Sequence, residues 1–212
     1  VKWKILQKLK YCLLKNEDYE KVMVQAAKSL SSRFKPNAGI IQSWGSNDRW
    51  QCPVIIDNMM NLEMLFEATK ISGDSTFYKI AVTHADTTMA KHFRKDYSSY
   101  HVLDYDTETG EILKRNTAQG YKDESAWARG QAWGLYGFIV NQAKHIAGFI
   151  MNHPNLPEDK VPYWDYNAPV TAQTPRDVSA AAITASALYE LSTYVEHNLN
   201  SAYKNEANTI VE

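Results

Sequence analysis

The sequence has few cysteines, and neither sign of charge dominates it. Cys12 and Cys52 are the two cysteines among 212 residues, at no metal-ligand spacing, so they indicate no disulfide framework and leave the redox compartment open. Lys and Arg number 23 against 24 Asp and Glu, which gives a net charge of −1. That balance provides no electrostatic reason to bind nucleic acid or an anionic membrane.

The sequence also lacks a long uninterrupted apolar run. The most apolar stretches, around 54–66 and 135–151, each contain Asp, Asn, Glu or Lys, so neither is expected to span a bilayer. Val1–Leu14 mixes lysines with apolar residues and has no small-residue cleavage site, so we interpret it as an amphipathic helix and not as a signal peptide. A cytoplasmic or periplasmic location is the resulting expectation.

Motifs of several enzyme classes are missing as well. There is no GxGxxG, P-loop or GxSxG pattern, and the six histidines show no HExxH spacing. We therefore expect neither a metal nor a cofactor. Aromatic residues, in contrast, reach 12% and include six Trp. They are explained either as core residues or as stacking surfaces for sugar rings.

Helical periodicity dominates what is present. The start and stop signals predict a helix over Tyr19–Phe34 after an Asp18 cap, one from Pro53 to about Ile71 with Gly73 past its end, one opened by Asp74 or Ser75 and reaching Phe93, one beginning at Ala126 after Asp123 or Ser125, and one from Asp177 to about Tyr194.

These helices are of two kinds. Tyr19–Phe34 and Phe77–Phe93 each have one apolar stripe, as outer helices do, and on the first the stripe is Val22, Ala26, Leu30 and Phe34. Val54–Phe66 and Ser179–Leu191 are apolar or small on nearly every side, as enclosed helices are. The alternation predicts an all-α toroid or solenoid in one domain, residues 1–212.

The segment 94–125 breaks this pattern. Tyr100–Tyr105 and Glu111–Asn116 flank Asp106-Thr107-Glu108-Thr109-Gly110, which predicts a β-hairpin. Long loops inside a compact domain are usually functional or disordered, and the aromatic content favours function here.

Asp57 is a candidate general acid because it lies on the enclosed Val54–Phe66 segment, one turn before Asn61. Burial raises the pKa of a carboxyl group, which general acid catalysis near neutral pH requires. The alternative is a structural carboxylate that accepts backbone N–H bonds in the first turn of the helix. The residues alone leave both readings open.

A second cluster lies in Trp127–Gly134, where Arg129 and Trp133 are four residues apart and share a helix face. This pair could hold an acidic sugar, with the guanidinium on its carboxylate and the indole on its ring. The alternative is a cation–π link between helices. Gly130, Gly134 and Gly137 form a stripe that favours close backbone packing whatever the function.

The same helix raises a question about chain continuity. No turn residue separates Trp127–Gly137 from the outer helix expected over Ala143–Met151. One helix over Ala126–Asn152 would carry the apolar side chains of the outer helix away from the enclosed helix that it should cover. We therefore predict a break near Ile139–Gln142.

Several ordered motifs resemble the unsaturated glucuronyl hydrolases, glycoside hydrolase family 88. They are Pro53-Val54-Ile55-Ile56-Asp57-Asn58-Met59-Met60-Asn61-Leu62-Glu63, His84-Ala85-Asp86-Thr87-Thr88, Ser98-Ser99-Tyr100-His101, Gln119-Gly120-Tyr121, Asp123–Gly134 and Arg176-Asp177-Val178-Ser179-Ala180-Ala181-Ala182. The similarity runs from about Tyr19 onward.

The resemblance implies an (α/α)6 toroid of inner and outer helices, here incomplete at about half to two-thirds of the helices. It implies hydrolysis of oligosaccharides of glycosaminoglycan type that carry a 4,5-unsaturated uronic acid at the non-reducing end, through hydration of the C4=C5 vinyl ether. Asp57 matches the family's general acid and base. His101, Gln119 and Arg129 match residues around the uronate and the reacting water, and Trp44, Trp127 and Trp133 match stacking residues.

The sequence departs from the family at one essential position. The family has a second aspartate, in a His-Asp pair, upstream of the helix that corresponds to Tyr19–Phe34, whereas residues 1–17 contain neither Asp nor His. Two alternatives therefore remain beside the hydrolase: an unsaturated rhamnogalacturonyl hydrolase with the same chemistry, and an inactive fragment that only binds acidic sugars. The oligomeric state is left open.

Overall fold

The computed structural model describes residues 17–138 and 140–212. The α-helices among these residues are α1 (Glu17–Ser31), α2 (Leu62–Ser72), α3 (Ser75–Lys91), α4 (Ala128–Gly137), α5 (Asn141–Met151), α6 (Val178–Ser192) and α7 (His197–Val211). The strands are β1 (Phe34–Lys35), β2 (Ile40–Ile41), β3 (Pro53–Ile55), β4 (Val102–Tyr105) and β5 (Ile112–Asn116), and a 3₁₀ helix, Ile56–Asn61, joins β3 to α2. The amphipathic helix predicted over Val1–Leu14 lies outside the described residues.

Enclosed and outer helices alternate, as predicted. Helix α6 buries eight of its 15 residues, whereas α1 buries three of 15 and α7 two of 15. Helix α4 lies between the 3₁₀ helix and α6, the outer helices α5 and α7 each contact the enclosed helix that precedes them, and α3 contacts α2. Small residues on α4 and α6 permit this close packing. The predicted toroid of paired helices, present in part, is confirmed in this arrangement.

The details of α1 differ from the prediction. The helix begins at Glu17 and ends at Ser31, so Asp18 lies inside it and Phe34 lies in β1. Its buried residues are Met23, Ala27 and Leu30, while Val22 is 47% exposed. Two adjacent apolar rows have the same helical period on this segment, and periodicity alone does not say which row faces the core.

Helix α2 starts later than predicted, because Pro53 is not the first residue of a helix. Pro53–Ile55 pairs with β4 in an antiparallel three-stranded sheet of order β3-β4-β5. Proline is accepted here at the first position of an edge strand. The predicted hairpin of β4 and β5 is confirmed, with Gly110 at φ +73° in its turn, but the sequence did not reveal the third strand.

The helix ends after α4, as predicted: α4 ends at Gly137 and α5 begins at Asn141. Phe138 is extended at φ −108° and ψ 152°, and Val140 has a positive φ of 52° before α5 begins at Asn141. The reversal lets α5 return along the enclosed helices and bury Ile146 and Ile150. The alternative of one continuous helix is wrong. No helix in the described part of the chain is both long and apolar enough to cross a membrane.

Candidate active site

Asp57 lies in the first turn of the 3₁₀ helix, which packs against the glycine row of α4. A Cβ atom on Gly137 would lie 2.3 Å from Cβ of Met59, and one on Gly130 would lie 2.9 Å from Cγ2 of Ile56. Contacts this short leave no room for a side chain, so glycine allows the two backbones to approach. The structural reading of the glycine row is confirmed, and its effect is to bring α4 against the segment that carries Asp57.

The carboxyl group of Asp57 is buried and only partly satisfied. Its side chain is 13% exposed, and its Oδ2 atom is buried without a hydrogen-bond partner among the described residues. Burial raises the pKa of Asp57 to about 7, against a smaller lowering by its own backbone N–H and by the charge of Arg129. A carboxyl group with this pKa is present in both protonation states near neutral pH.

His101 faces this carboxyl group. Its Nε2 atom lies 4.0 Å from Asp57 Oδ2 and, like that oxygen, is buried without a hydrogen-bond partner in the described structure. Burial, together with the nearby His92, lowers the pKa of His101 to about 4, so the ring is neutral at neutral pH. A lone loop histidine is usually a surface residue, but His101 is 2% exposed.

Trp127 and Arg129 extend the cluster from the start of α4. The Trp127 ring lies 4.4 Å from the His101 ring between centroids, and the Arg129 guanidinium lies 5.3 Å from the Trp127 ring. Helix α4 begins at Ala128, two residues later than predicted, because Trp127 pairs with Asp165 in an antiparallel bridge. Asp57, His101, Trp127 and Arg129 thus form a continuous group.

Arg129 also joins two helices. Its Nε and Nη2 atoms donate to Asp177 Oδ2 at 3.2 and 3.0 Å, and Asp177 caps α6 by accepting from the Ala180 amide at 2.8 Å. The contact with Trp127 is local to α4, so the ion pair, and not a cation–π contact, links α4 to α6. The Arg129 side chain remains 40% exposed.

The other predicted site residues are less closely joined to this group. Gln119 is exposed, and its backbone N–H donates to His101 Nδ1 at 3.3 Å. Trp44 lies edge-on to Trp50 at 5.2 Å, and Trp133 lies edge-on to Tyr136 at 5.7 Å. The ring partner of each of these two indoles therefore lies outside the group of Asp57, His101, Trp127 and Arg129. Within the described ranges, no group of three His, Cys, Asp or Glu side chains is arranged to hold a metal ion.

Known proteins resemble this chain in sequence over most of its length. An unsaturated glucuronyl hydrolase of Formosa agariphila is 50% identical over 194 residues, which is 86% of this chain and 48% of that protein. An unsaturated chondroitin disaccharide hydrolase of Streptococcus agalactiae is 37% identical over 81% of this chain and 46% of its own length. No protein-family model matches the sequence.

Solved structures resemble it in fold. An unsaturated glucuronyl hydrolase specific for heparin superposes with a TM-score of 0.91 at 48% identity, over 95% of this chain and 56% of that one. The enzyme from a Bacillus species, described as responsible for glycosaminoglycan degradation, gives a TM-score of 0.90 at 34% identity, over 99% and 59% of the two chains.

The chain belongs to the unsaturated glucuronyl hydrolase family. It spans about half the length of the curated relatives that it matches. The family resemblance of the motifs around Asp57, His101 and Trp127 therefore extends to the backbone that positions them.

Two residues that hold the loops around His101, Asp165 and Thr117, were not predicted from the sequence. Asp165 is 1% exposed, and its carboxylate accepts from Tyr121 N at 2.9 Å, Ser125 Oγ at 2.6 Å and Asn167 N at 2.9 Å. Thr117 contacts His101 through its hydroxyl group at 3.1 Å. Both act across loops, where neither helical nor strand periodicity gives a signal, and Asp165 lies 40 positions from Ser125 along the chain.

Proposed function

We propose that this chain carries part of the active site of a hydrolase that removes a 4,5-unsaturated uronic acid from the non-reducing end of oligosaccharides released by polysaccharide lyases. The observation that carries the proposal is the buried Asp57 carboxyl group, with a pKa of about 7 and an unpartnered oxygen 4.0 Å from His101. A group with that pKa can give up a proton and take one back within a single reaction cycle at neutral pH.

The proposed reaction starts with proton transfer from Asp57 to C4 of the C4=C5 vinyl ether. Positive charge then develops at C5 and is shared with the ring oxygen. A water molecule adds to C5 and returns its proton to the Asp57 carboxylate. The resulting hemiketal opens, which frees the leaving sugar and restores the enzyme. As written, the sequence of steps uses only protons and water and requires neither metal nor cofactor.

The neighbours of Asp57 suit an acidic, ring-shaped substrate. Trp127 supplies an apolar ring beside His101, and Arg129 lies next to it with 40% of its side chain exposed. Its Nη1 nitrogen makes no hydrogen bond with the described residues, whereas Nε and Nη2 are held by Asp177. In this proposal the uronate carboxylate binds Nη1, while the ion pair fixes the direction in which the guanidinium points.

Gln119, Trp44 and Trp133 complete the proposed substrate contacts at a greater distance. Gln119 is exposed on the loop that borders His101, and the two indoles lie on other aromatic side chains. We also assign residues 1–212 to one toroid domain. Similar proteins have been solved with unsaturated oligosaccharides, one of which contains glucose and rhamnose and another a 6-sulfated N-acetylgalactosamine.

Two other functions are alternatives. An inactive sugar-binding fragment would bind the acidic disaccharide without turning it over. An unsaturated rhamnogalacturonyl hydrolase would use the same chemistry on another leaving sugar. The motifs around Asp57 and Trp127–Gly134 favour the glucuronyl substrate over that one.

The test uses the full 212-residue chain with three disaccharides: unsaturated chondroitin, its saturated analogue, and an unsaturated rhamnogalacturonan product. Loss of the ultraviolet absorbance of the double bond reports turnover, and calorimetry reports binding. We expect turnover of the unsaturated chondroitin disaccharide and none of the saturated one. In deuterated water, the product should carry deuterium at C4 at early times.

Other outcomes separate the alternatives. Binding without any loss of absorbance would contradict the hydrolase and support the sugar-binding fragment. Faster turnover of the rhamnogalacturonan product would replace the glucuronyl assignment. Release of sugar from the saturated disaccharide would mean that the reaction occurs at the anomeric carbon instead.

A further inference from the structure

We propose that Thr117 is a positioning residue, which holds His101 in the neutral tautomer that carries its proton on Nε2, so that an N–H bond and not a lone pair faces Asp57. The tautomer itself follows from geometry. Its role in turnover rests on the proposed function above.

The hydrogen bonds at Nδ1 of His101 decide where the ring proton lies. The backbone N–H groups of Ala118 and Gln119 point to Nδ1 at 3.2 and 3.3 Å. A backbone N–H can only donate, so Nδ1 must accept and must carry a lone pair. Because the ring is neutral, its single proton is on Nε2.

Thr117 adds a third donor whose direction is also fixed. The Gly120 amide donates to Thr117 Oγ1 at 2.6 Å, which occupies that oxygen as an acceptor. The hydroxyl proton is then free to point to His101 Nδ1, 3.1 Å away. The result is a one-way chain of donors, from Gly120 N–H through the Thr117 hydroxyl to the imidazole.

The backbone of Thr117 is held as firmly as its side chain. Its N–H donates to Asp123 Oδ1 at 2.8 Å, and its carbonyl oxygen accepts from Arg49 Nη2 at 2.8 Å. The loop that presents the three donors is therefore fixed at its first residue. On the other side of the imidazole, Trp127 limits rotation of the ring.

The tautomer matters because of what faces it. Nε2 lies 4.0 Å from Asp57 Oδ2, and neither atom has another hydrogen-bond partner in the described structure. With a lone pair on Nε2, His101 would accept a hydrogen bond from the protonated Asp57 and turn its proton away from C4. With a proton on Nε2, it can only donate. An oxygen atom between the two groups, from water or substrate, would then accept from His101 and donate to Asp57.

The first measurement is the tautomer itself, by long-range ¹H–¹⁵N correlation of the histidine rings in the 212-residue chain at neutral pH. His101→Asn identifies the His101 signals by their loss. We expect the pattern of a single Nε2–H tautomer in the wild type. A wild-type signal of the Nδ1–H tautomer, or of a doubly protonated ring, overturns the proposal. This measurement does not depend on turnover, so it stands even if the proposed function fails.

The second measurement compares Thr117→Val with Thr117→Ser. Valine keeps the shape, removes one of the three donors and leaves the Gly120 amide without its acceptor. The loop that carries the two backbone donors should then shift away from Nδ1, so we expect a detectable Nδ1–H population and a loss of about tenfold or more in kcat, with a smaller change in KM. Serine keeps the hydroxyl group and should restore both the tautomer and kcat. If Thr117→Val does not fold, Thr117→Ala takes its place.

Thermal denaturation of each variant separates positioning from plain stability. A valine variant with a lower Tm but an unchanged tautomer and kcat would mean that Thr117 is only structural, which contradicts the proposal. A serine variant that loses kcat as fully as the valine variant contradicts it too, because the hydroxyl group would then not be what matters.

Discussion

Two buried carboxylates, Asp57 and Asp165, are treated in opposite ways, although one faces His101 and the other accepts from Tyr121 on the loop that borders His101. Asp165 accepts three hydrogen bonds from two backbone amides and a serine hydroxyl. Asp57 has an oxygen that is equally inaccessible but accepts none from the described residues. A buried polar atom without a partner costs stability, whereas a satisfied carboxylate stabilises the chain around it.

Hydrogen bonding therefore separates a structural carboxylate from one that is available for chemistry. Asp165, and likewise Asp104 with the amides of Gln51 and Cys52, use their acceptor capacity to hold loops in place. The Oδ2 atom of Asp57 has no hydrogen-bond partner among the described residues, so it is available to a bound molecule. Its burial without a partner lowers the stability of the folded state. A buried carboxyl group that lacks a hydrogen-bond partner and has a raised pKa is typical of functional sites.

The largest expected effect is on turnover, and it tests the catalytic role proposed for Asp57. Asp57→Asn removes the acid at nearly constant shape, and turnover of the unsaturated disaccharide should fall by roughly 10²–10⁴-fold with binding retained. The absorbance assay and calorimetry measure the two quantities. Asp104→Asn is the matched control, since it alters a satisfied buried carboxylate and should keep turnover. Activity retained by the Asp57 variant would remove the distinction between the two acids.

The next effect concerns stability and its dependence on pH. Folding raises the pKa of Asp57 from 3.8 to about 7, so the folded state binds this proton more tightly than the unfolded state. Stability from this group is present below the unfolded value and is lost as pH rises toward 7. Asp57→Asn does not titrate, so it should exceed the wild type in the free energy of unfolding by up to ~4 kcal/mol above pH 7.

Urea denaturation at several pH values measures that difference, which should shrink toward zero near pH 4. The slope of the wild type against pH is the informative quantity. If the two proteins lose stability in parallel from pH 4 to 8, the Asp57 carboxyl group is not destabilising, and its burial has no functional meaning.

Arg129 connects the two roles, because it pairs with the structural carboxylate of Asp177 and is also proposed to bind the substrate. Arg129→Ala should weaken binding of an unsaturated acidic disaccharide by ~2–3 kcal/mol, as loss of a charge-assisted contact does. A neutral unsaturated analogue should lose much less, and calorimetry on both ligands measures the gap. Equal losses would show that Arg129 acts only through Asp177 and the packing of α4 on α6.

The smallest expected effect is on stability, and it tests the structural role of Asp165. Asp165→Asn replaces one acceptor oxygen with an amino group that faces the donors of Tyr121 and Ser125, or of Asn167. We expect a loss of ~1–3 kcal/mol in the free energy of unfolding, measured by urea denaturation. A gain in stability, as expected for the Asp57 variant, would mean that the two acids are alike after all.

Much of the fold was predictable from local signals. Asp74 and Asp177 cap α3 and α6 by accepting from Thr76 N and Ala180 N, and the hairpin of β4 and β5 follows from its turn residues. These features depend on neighbours in the chain. Pro53 was assigned wrongly because its partner strand is about 50 residues away, and periodicity within one segment does not report such a pairing.

The site divides in the same way. Asp57, His101 and Arg129 were predicted as site residues through the family motifs, whereas the residues that contact and orient them were not predicted. Thr117 and Asp165 act through contacts between loops, and no spacing rule links Asp165 to Ser125 or Thr117 to His101. The partnership of Arg129 with Asp177 was also missed, because Asp177 was interpreted only as a helix cap.

The glycine row of α4 has a consequence for how this protein can vary. A side chain at Gly137 or Gly130 would meet Met59 or Ile56 at under 3.0 Å, so these two glycines set how closely α4 approaches the 3₁₀ helix. Mutational libraries that aim to retune the substrate range can sample exposed positions such as Gln119 freely. At Gly137 and Gly130 even a methyl group would force α4 or the segment that carries Asp57 to shift, so we expect these two positions to tolerate no side chain.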